Sequence, residues 1–304
     1  RGPLCQQEQL IDSNYFKSGL SLLEQKNSCT TYLPNQTIIN SDQLIAISEK
    51  INSNPNGILV IGELPNRLDK TNILNLIKKT NWNFFLDITS SIKFEFNASD
   101  GAIPTFDHPE IFDHFNNTSP DIILHIGGRV TSKYYYKLLE ENPNIDLIHI
   151  TSDLRLKDPS FSVKTVINCD LDEFAKNINL NNNFKTKNIF KEMINEKIEI
   201  INNNKISYPV ISKAIIDCIP SKMNLFLANS TVIRSFDSYA SNLINKQISI
   251  FANRGASGIE GLIASACGVA DAAKKITTLV IGDISFLHDL NSLQLIKESK
   301  VIVI

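Results

Sequence analysis

The chain has 304 residues, 42% of them hydrophobic, which is enough for one large or two ordinary domains with substantial cores. Its formal charge of -2, without a face-forming run of lysine and arginine, argues against nucleic-acid binding, and no apolar stretch reaches the roughly 18 residues of a transmembrane helix. The five cysteines are scattered and form no Cys-x-x-Cys pair, which favours buried thiols in a reducing compartment over disulfides or a zinc site.

The two ends of the sequence differ in character. Residues 1–40 are polar with one weak helical pattern, which is typical of an arm or linker, and they lack the features of a signal peptide. The last residues, KVIVI, form a β-branched apolar run that predicts a buried strand. Because a protein seldom ends within a core strand, we expect the sequence to be a segment of a longer polypeptide.

Helix and strand patterns alternate over residues 41–171. SDQLIAISEKINS predicts a helix with Ser41 as its N-cap. Short apolar runs that predict strands follow, with amphipathic helices between most of them: GILVIG, NFFLDI, DIILHIG, IDLIHIT and VKTVINCD. This alternation predicts a first parallel sheet that helices cover on both faces.

The pattern is interrupted and then resumes. Residues 172–205 predict a helical, asparagine-rich connector, and the alternation restarts over 206–304. The predicted strands of this part are MNLFLANS, QISIFAN, TTLVIGD and KVIVI. The chain is therefore predicted to be an α/β protein with two doubly wound domains, each built on a parallel sheet.

Asp283 ends the predicted strand TTLVIGD and follows a glycine. Ligands of open parallel sheets bind beyond the carboxyl ends of the strands, and a carboxylate there suits a hard cation such as Mg²⁺ that also binds phosphates. The alternative is that Asp283 or Ser285 only caps the following helix.

Two further strand ends carry arginines. The run NRGASGIEG, with Arg254, has glycines spaced three apart and precedes a helix, which indicates either an anion site at a helix N-terminus or a tight turn. Its spacing is not that of a dinucleotide-binding loop. After another strand, ANSTVIRSF offers Ser230 as a helix cap and Arg234 as a cation that points to the same cleft or to solvent.

The run GGRVTSKYYY follows a strand of the first domain and contains Ser132 and Lys133. Its glycines, Ser132 and Lys133 indicate either a phosphate- or carboxylate-binding loop or an ordinary turn. The spacing is not that of a P-loop. His125 and His149 lie within apolar strands, so we expect them to be satisfied core residues. His288 and Asp289 follow the Gly-Asp strand and either contact a ligand or face solvent.

Taken together, ANRGASGIEGLIASACGVADA and IGDISFLHDLNSL resemble thiamine-diphosphate enzymes. They are most similar to the 2-succinyl-5-enolpyruvyl-6-hydroxy-3-cyclohexene-1-carboxylate synthases of menaquinone and phylloquinone biosynthesis. NSTVIRSFD and TSK match further elements of that family. The resemblance is strong over 224–304 and weaker over 41–171.

The resemblance implies a middle domain followed by a truncated diphosphate-binding domain. The family decarboxylates 2-oxoglutarate on thiamine diphosphate and adds the product to isochorismate, and the full-length protein would be a homodimer or homotetramer. Residues 282–285 would contact the cofactor, with Asp283 as a ligand of Mg²⁺ or Mn²⁺. Residues that would hold substrate carboxylates are Arg234, Arg254, Ser230 and Lys133. The expected compartment is a bacterial cytoplasm or a plastid stroma.

Two departures from the family pattern limit these expectations. The family's Asn-Asn pair, which follows its Gly-Asp motif, has no counterpart within this sequence, and neither has the domain with the glutamate that activates the cofactor. We therefore expect no catalytic residue in this segment and no activity from it alone. The alternatives are another thiamine-diphosphate enzyme, such as an acetolactate synthase or 2-oxoacid decarboxylase, and a non-catalytic binding protein with a degenerate fold.

Overall fold

A computed structural model describes residues 37–96, 101–153, 155, 158–181, 190, 199, 206–240, 246–255 and 258–304. These residues belong to one unit, Thr37–Ile304. The predicted arm at 1–40 lies almost wholly outside the described residues, as does most of the predicted connector at 172–205. The proposed domain boundaries therefore stay predictions.

The described elements alternate as the sequence predicts. The strands are β1 (Gly57–Ile61), β2 (Asn83–Leu86), β3 (Ala102–Ile103), β4 (Ile122–Ile126), β5 (Asp146–Thr151), β6 (Val163–Asn168), β7 (Asn224–Leu227), β8 (Ser249–Phe251), β9 (Thr277–Val280) and β10 (Val301–Val303). The helices are α1 (Ser41–Asn52), α2 (Thr71–Thr80), α3 (Pro109–Thr118), α4 (Lys133–Glu141), α5 (Leu171–Asn177), α6 (Tyr208–Cys218), α7 (Thr231–Tyr239), α8 (Leu262–Ala273), α9 (Asp283–His288) and α10 (Leu293–Ile296). No helix of the described residues is long and apolar enough to cross a bilayer.

The first sheet has six parallel strands in the order β3-β2-β1-β4-β5-β6. Successive side chains of a strand point to opposite faces, and β1 shows that both faces are buried. Leu59 and Ile61 pack into one hydrophobic cluster, whereas Ile58 and Val60 pack into another on the opposite face. The strand order reverses between β1 and β4.

The second sheet has four parallel strands in the order β10-β9-β7-β8. On β7, Leu225 and Leu227 face one hydrophobic cluster and Phe226 faces another, so helices cover this sheet on both faces as well. The strand order reverses between β7 and β9. Two parallel, doubly wound sheets confirm the predicted α/β class.

Three local predictions were wrong. Asn40, not Ser41, caps α1, because its extended backbone lets its side chain accept a hydrogen bond from Asp42 N at 2.8 Å. KVIVI forms β10, an edge strand that pairs only with β9 among the described strands, so Ile302 is 51% exposed rather than buried. Cys169 and Cys267 are buried as expected, but Cys218 is exposed.

A candidate binding site between the two sheets

The carboxyl ends of three neighbouring strands bring most of the predicted site residues to one edge of the second sheet. Leu227 of β7 pairs with Val280 of β9, and Phe226 pairs with Phe251 of β8. The residues that follow these strands are therefore neighbours: Asn229 and Ser230 after β7, Asn253 and Arg254 after β8, and Gly282 and Asp283 after β9. This edge includes the reversal of strand order, where doubly wound sheets bind ligands.

Asp283 is the first residue of α9 and is exposed. Gly282 occupies the N-cap position, and neither Asp283 nor Ser285 makes a side-chain capping bond, so the capping alternative is not supported. A Cβ added to Gly282 would meet no described atom within 4 Å, which leaves open space beside the carboxylate. Ile284 is also exposed, at 62%.

The described residues offer a metal ion few protein ligands. No group of three or more His, Cys, Asp or Glu side chains within them is arranged to hold one. Magnesium commonly binds proteins through one or two carboxylates and completes its shell with phosphate oxygens and water. The exposed Asp283 carboxylate beside open space fits such a partial site, in which a diphosphate would supply the other ligands.

Ser230 has φ 66° and ψ −128°, a backbone conformation that is unfavourable for any residue but glycine. It occupies the N-cap position of α7 but makes no capping bond, so the expected cap is wrong. A capping residue needs an extended, negative-φ backbone to aim its oxygen at the helix, and Ser230 lacks it. Its neighbour Asn229 donates to Gly258 O at 2.8 Å and ties this strand end to the glycine-rich run.

Among the described residues, the glycine-rich run does not supply an anion site at a helix N-terminus, which was one of the two alternatives for it. The helix α8 begins only at Leu262, after Gly261 in the left-handed conformation. Its first N–H groups are already occupied, because the buried Asp289 carboxylate accepts from Ile263 N at 2.6 Å and from Ala264 N at 3.4 Å. Residues 256 and 257 lie outside the described residues. His288, the neighbour of Asp289, is exposed.

The predicted phosphate loop at 127–133 is also internally satisfied. Gly127 N and Gly128 N donate to carbonyl oxygens of β5 and of the loop after β1. Val130 N donates to Tyr136 Oη at 3.0 Å, and Thr131 N donates to the Asp87 carboxylate. With these four N–H groups occupied, the loop favours the ordinary turn, one of the two alternatives for this run, over a backbone anion cradle.

His125 and His149 are buried and bond to carbonyl groups of this loop, as expected for core residues. The His125 Nε2–H donates to Gly128 O at 2.8 Å, so its Nδ1 accepts from Tyr135 Oη at 3.0 Å. His149 Nε2 donates to Gly127 O at 2.8 Å. Burial, and then the neighbouring His149, lower the pKa of His125 to about 3, so its ring stays neutral at physiological pH.

Lys133 and Arg234 come from different sheets but line the same cavity, whose volume is about 450 Å³. Lys133 begins α4 beside the first sheet, and Arg234 lies on α7 beside the second. Other residues of the cavity wall include Asp107, Tyr134, Tyr208 and Tyr239. The cavity thus offers two cations and several aromatic rings, which suits a ring-containing or extended anion.

Arg254 and Ser230 do not line this cavity. Arg254 is half-buried, and its charge is felt at Tyr136 beside the first sheet: burial raises the pKa of Tyr136, and the charge of Arg254 is among those that oppose the rise. The structure brings Lys133 and Arg234 to one cavity, and Arg254 is not among the residues of its wall.

Beneath the cavity, a buried ion pair joins the two sheets. Lys93 Nζ, near the first sheet, lies 2.8 Å from Asp237 Oδ1 on α7, and both side chains are nearly inaccessible. Ile88 N also donates to Asp237 Oδ1, and Asp237 Oδ2 has no hydrogen-bond partner among the described residues. Burial raises the pKa of Asp237 to about 7; Lys93 opposes this rise and Asp87 adds to it.

Asp107, Lys93 and Asp237 were not singled out by the sequence. Asp107 sits in TFDHPE, where no spacing motif marks it, and its place in the cavity depends on how the two sheets pack. The pair between Lys93 and Asp237 spans 144 positions of the chain. Only the tertiary fold creates these contacts, so no local signal could have indicated them.

The fold matches that of a solved structure of a thiamine-diphosphate type. A solved structure from Mycobacterium smegmatis, provisionally described as a thiamin diphosphate-dependent enzyme, matches 90% of this chain with a TM-score of 0.59. This match covers 54% of that structure, and at 13% sequence identity it establishes the fold only. No protein-family model matches the chain.

Curated relatives then give the particular family. The Syntrophus aciditrophicus protein named 2-succinyl-5-enolpyruvyl-6-hydroxy-3-cyclohexene-1-carboxylate synthase is 35% identical over 82% of this chain and 44% of its own length. Proteins of the same name from Chlorobium phaeobacteroides and Listeria welshimeri are 32% and 30% identical, over 79% and 81% of this chain and 42% and 44% of their own lengths. The chain therefore belongs to the family of 2-succinyl-5-enolpyruvyl-6-hydroxy-3-cyclohexene-1-carboxylate synthases, as the resemblance predicted, and it spans less than half the length of these relatives.

Proposed function

We propose that the chain forms the middle and diphosphate-binding parts of a thiamine-diphosphate-dependent synthase. In this proposal the synthase decarboxylates 2-oxoglutarate and adds the resulting four-carbon unit to isochorismate. The names of the relatives and the matching fold support it. The observation that carries it is the cavity where Lys133 and Arg234 meet, because both substrates are carboxylate anions that need paired cations.

Each residue has a proposed role that follows from its position. Thiamine diphosphate would supply the electron sink for decarboxylation when bound. Asp283 would hold Mg²⁺ or Mn²⁺ against the diphosphate, and Gly282 would leave space for it. Lys133 and Arg234 would bind and orient substrate carboxylates, with Arg254 and Ser230 at the neighbouring strand ends. In a partly water-excluded cavity, such contacts are stronger than in solvent.

Paired cations favour this proposal over a 2-oxoacid decarboxylase or acetolactate synthase, because smaller substrates need fewer carboxylate contacts. We further propose that the full-length protein is a homodimer or homotetramer. Its expected compartment is the bacterial cytoplasm or the plastid stroma. These points follow from the resemblance alone.

Calorimetric titration with thiamine diphosphate and Mg²⁺ tests the proposal. We would titrate this chain and a version extended at both ends with the flanking sequence of its gene. Binding by the extended protein that Asp283→Ala abolishes and Glu298→Gln leaves intact would support the proposal, since Glu298 is an exposed acid of the same sheet region. Equal binding by the two variants would remove Asp283 from the site. An extended protein that binds no thiamine diphosphate would favour the non-catalytic alternative.

A further inference from the structure

The wall of the cavity that contains Lys133 and Arg234 also contains one acid, Asp107. Its two carboxylate oxygens accept from different serines. Ser132 Oγ donates to Oδ1 at 2.9 Å, and Ser238 Oγ donates to Oδ2 at 3.3 Å. Both serines are buried, and the Asp107 N–H donates to Thr105 Oγ1 at 3.0 Å, which fixes the backbone that carries the acid.

Each serine belongs to the helix of one cation. Ser132 is the N-cap of α4, directly before Lys133, and its Oγ also accepts from Tyr135 N at 3.4 Å. Ser238 lies on α7, one helical turn after Arg234. The carboxylate therefore joins the start of α4 to the last turn of α7, across the junction of the two sheets.

We infer that Asp107 is a positioning residue that sets the spacing of Lys133 and Arg234 by bridging Ser132 and Ser238. The bridge itself follows from the contacts, whereas its consequence for substrate binding rests on the proposed function. Asp107 would act through the two helices and need not touch the ligand.

The direction in which anion affinity changes when Asp107 is removed separates a positioning role from simple charge repulsion. A carboxylate beside an anion site repels the anion, so its removal should strengthen anion binding if the geometry is unchanged. If the carboxylate holds the two cations at the correct spacing, Asp107→Ala should instead weaken binding. Asp107→Asn removes the charge but keeps the bridge, because its amide can accept from one serine and donate to the other hydroxyl.

The spacing can be measured without any ligand. In the full chain with Cys5, Cys29 and Cys218 replaced by serine, Lys133→Cys and Arg234→Cys would carry nitroxide labels for electron–electron double resonance. We expect a broader or shifted distance distribution with Asp107→Ala and the original distribution with Asp107→Asn. Asp170→Ala is the matched control, because Asp170 also accepts two hydrogen bonds but caps α5, outside the cavity wall.

An Asp107→Ala distribution identical to that of the parent would overturn the inference, even if the variant is less stable. If Asp107→Ala does not fold, Ser238→Ala replaces it in the same measurement, since it removes one of the two bridging bonds. An unchanged distribution for Ser238→Ala would then refute the bridge.

Binding of succinate and of 2-oxoglutarate, measured by calorimetry on the unlabelled chain, tests the consequence. We expect Asp107→Ala to weaken binding by about tenfold, Asp107→Asn to match or exceed the parent, and Asp170→Ala to stay within about twofold. Tighter binding by Asp107→Ala would refute the positioning role. A parent chain that binds neither acid would count against the proposed substrates, while the distance measurement would still decide the bridge.

Discussion

The two sheets share an architecture but differ at the edge where their strand order reverses. In the first sheet, glycines serve close packing: a Cβ on Gly62 would collide with the Gly128 carbonyl, and one on Gly127 would come within 2.6 Å of Glu63 O. In the second sheet, a Cβ on Gly261 or Gly282 would meet no described atom within 4 Å. The glycines of the first sheet are thus in close contact with a neighbouring loop, whereas those of the second sheet adjoin open space.

The loops at the two reversals also differ in exposure and backbone conformation. Across the first reversal, Gly128 N donates to Glu63 O and Glu63 N donates to Arg129 O, so the two loops satisfy each other. Across the second, Asp283 is exposed and Ser230 keeps an unfavourable backbone conformation. Strained and open positions cluster at binding sites, whereas satisfied loops serve stability. The second sheet is therefore the better place to look for cofactor chemistry.

The largest change in the free energy of unfolding should come from breaking the ion pair between Lys93 and Asp237. Above the Asp237 pKa of about 7, where this side chain is ionised in the folded parent, Lys93→Met would leave the buried carboxylate without its counter-charge and should lower the free energy of unfolding by about 3–5 kcal/mol. Lys213→Met, which breaks the more exposed pair with Asp217, should cost less than about 1 kcal/mol. Urea unfolding measures both, and similar losses for the two variants would contradict a structural role for the buried pair.

The same pair predicts a pH effect. Asp237 has a folded-state pKa of about 7, well above the value of about 3.9 expected in the unfolded chain. Between these values the folded protein binds more protons than the unfolded chain. The contribution of Asp237 to the free energy of unfolding therefore falls as pH rises from about 4 to about 7.

Asp237→Asn removes this titration and should flatten the pH dependence of stability in that window. Urea unfolding at several pH values between about 4.5 and 7 measures the slope. Asp217→Asn, on the surface of α6, should keep the slope of the parent. Identical slopes for the parent and Asp237→Asn would show that Asp237 is ionised throughout.

The contrast between the two sheets can be tested with matched glycine substitutions. Gly62→Ala forces a methyl group against the Gly128 carbonyl and should cost about 2–3 kcal/mol of stability. Gly282→Ala adds the same methyl group in open space and should change stability by less than about 1 kcal/mol while weakening thiamine-diphosphate binding. Thermal unfolding and calorimetry measure the two effects, and equal stability losses would remove the contrast.

The sequence predicted the class of fold because apolar runs and helical periodicity are local signals. It also predicted Lys133 and Arg234 as binding candidates, and they line one cavity. The sequence did not predict features that depend on contacts between residues far apart in the chain. The α8 N-terminus looked open to an anion, but Asp289, some 26 positions away, fills it. Likewise, Asp107 gains its contacts only when the fold brings Ser132 and Ser238 to its carboxylate.

The smallest stability changes are expected for two acids near the start and the end of α9, Asp283 and Asp289. Asp289 caps α8 and is buried, so Asp289→Ala should lower the free energy of unfolding by about 1–2 kcal/mol. Asp283 is exposed and makes no capping bond, so Asp283→Ala should change stability by less than about 0.5 kcal/mol. Urea unfolding without ligand compares them, with Mg²⁺ and thiamine diphosphate added in a second series to the extended protein.

The second series should reverse the ranking, because the ligand stabilises only a protein that binds it. The parent and Asp289→Ala should gain stability from the added ligand, whereas Asp283→Ala should gain none. If Asp283→Ala gains as much as the parent, the metal site lies elsewhere. If Asp289→Ala loses no stability in the first series, its contacts with Ile263 and Ala264 are not needed to hold the helix, and the end of α8 is again a candidate for binding an anion.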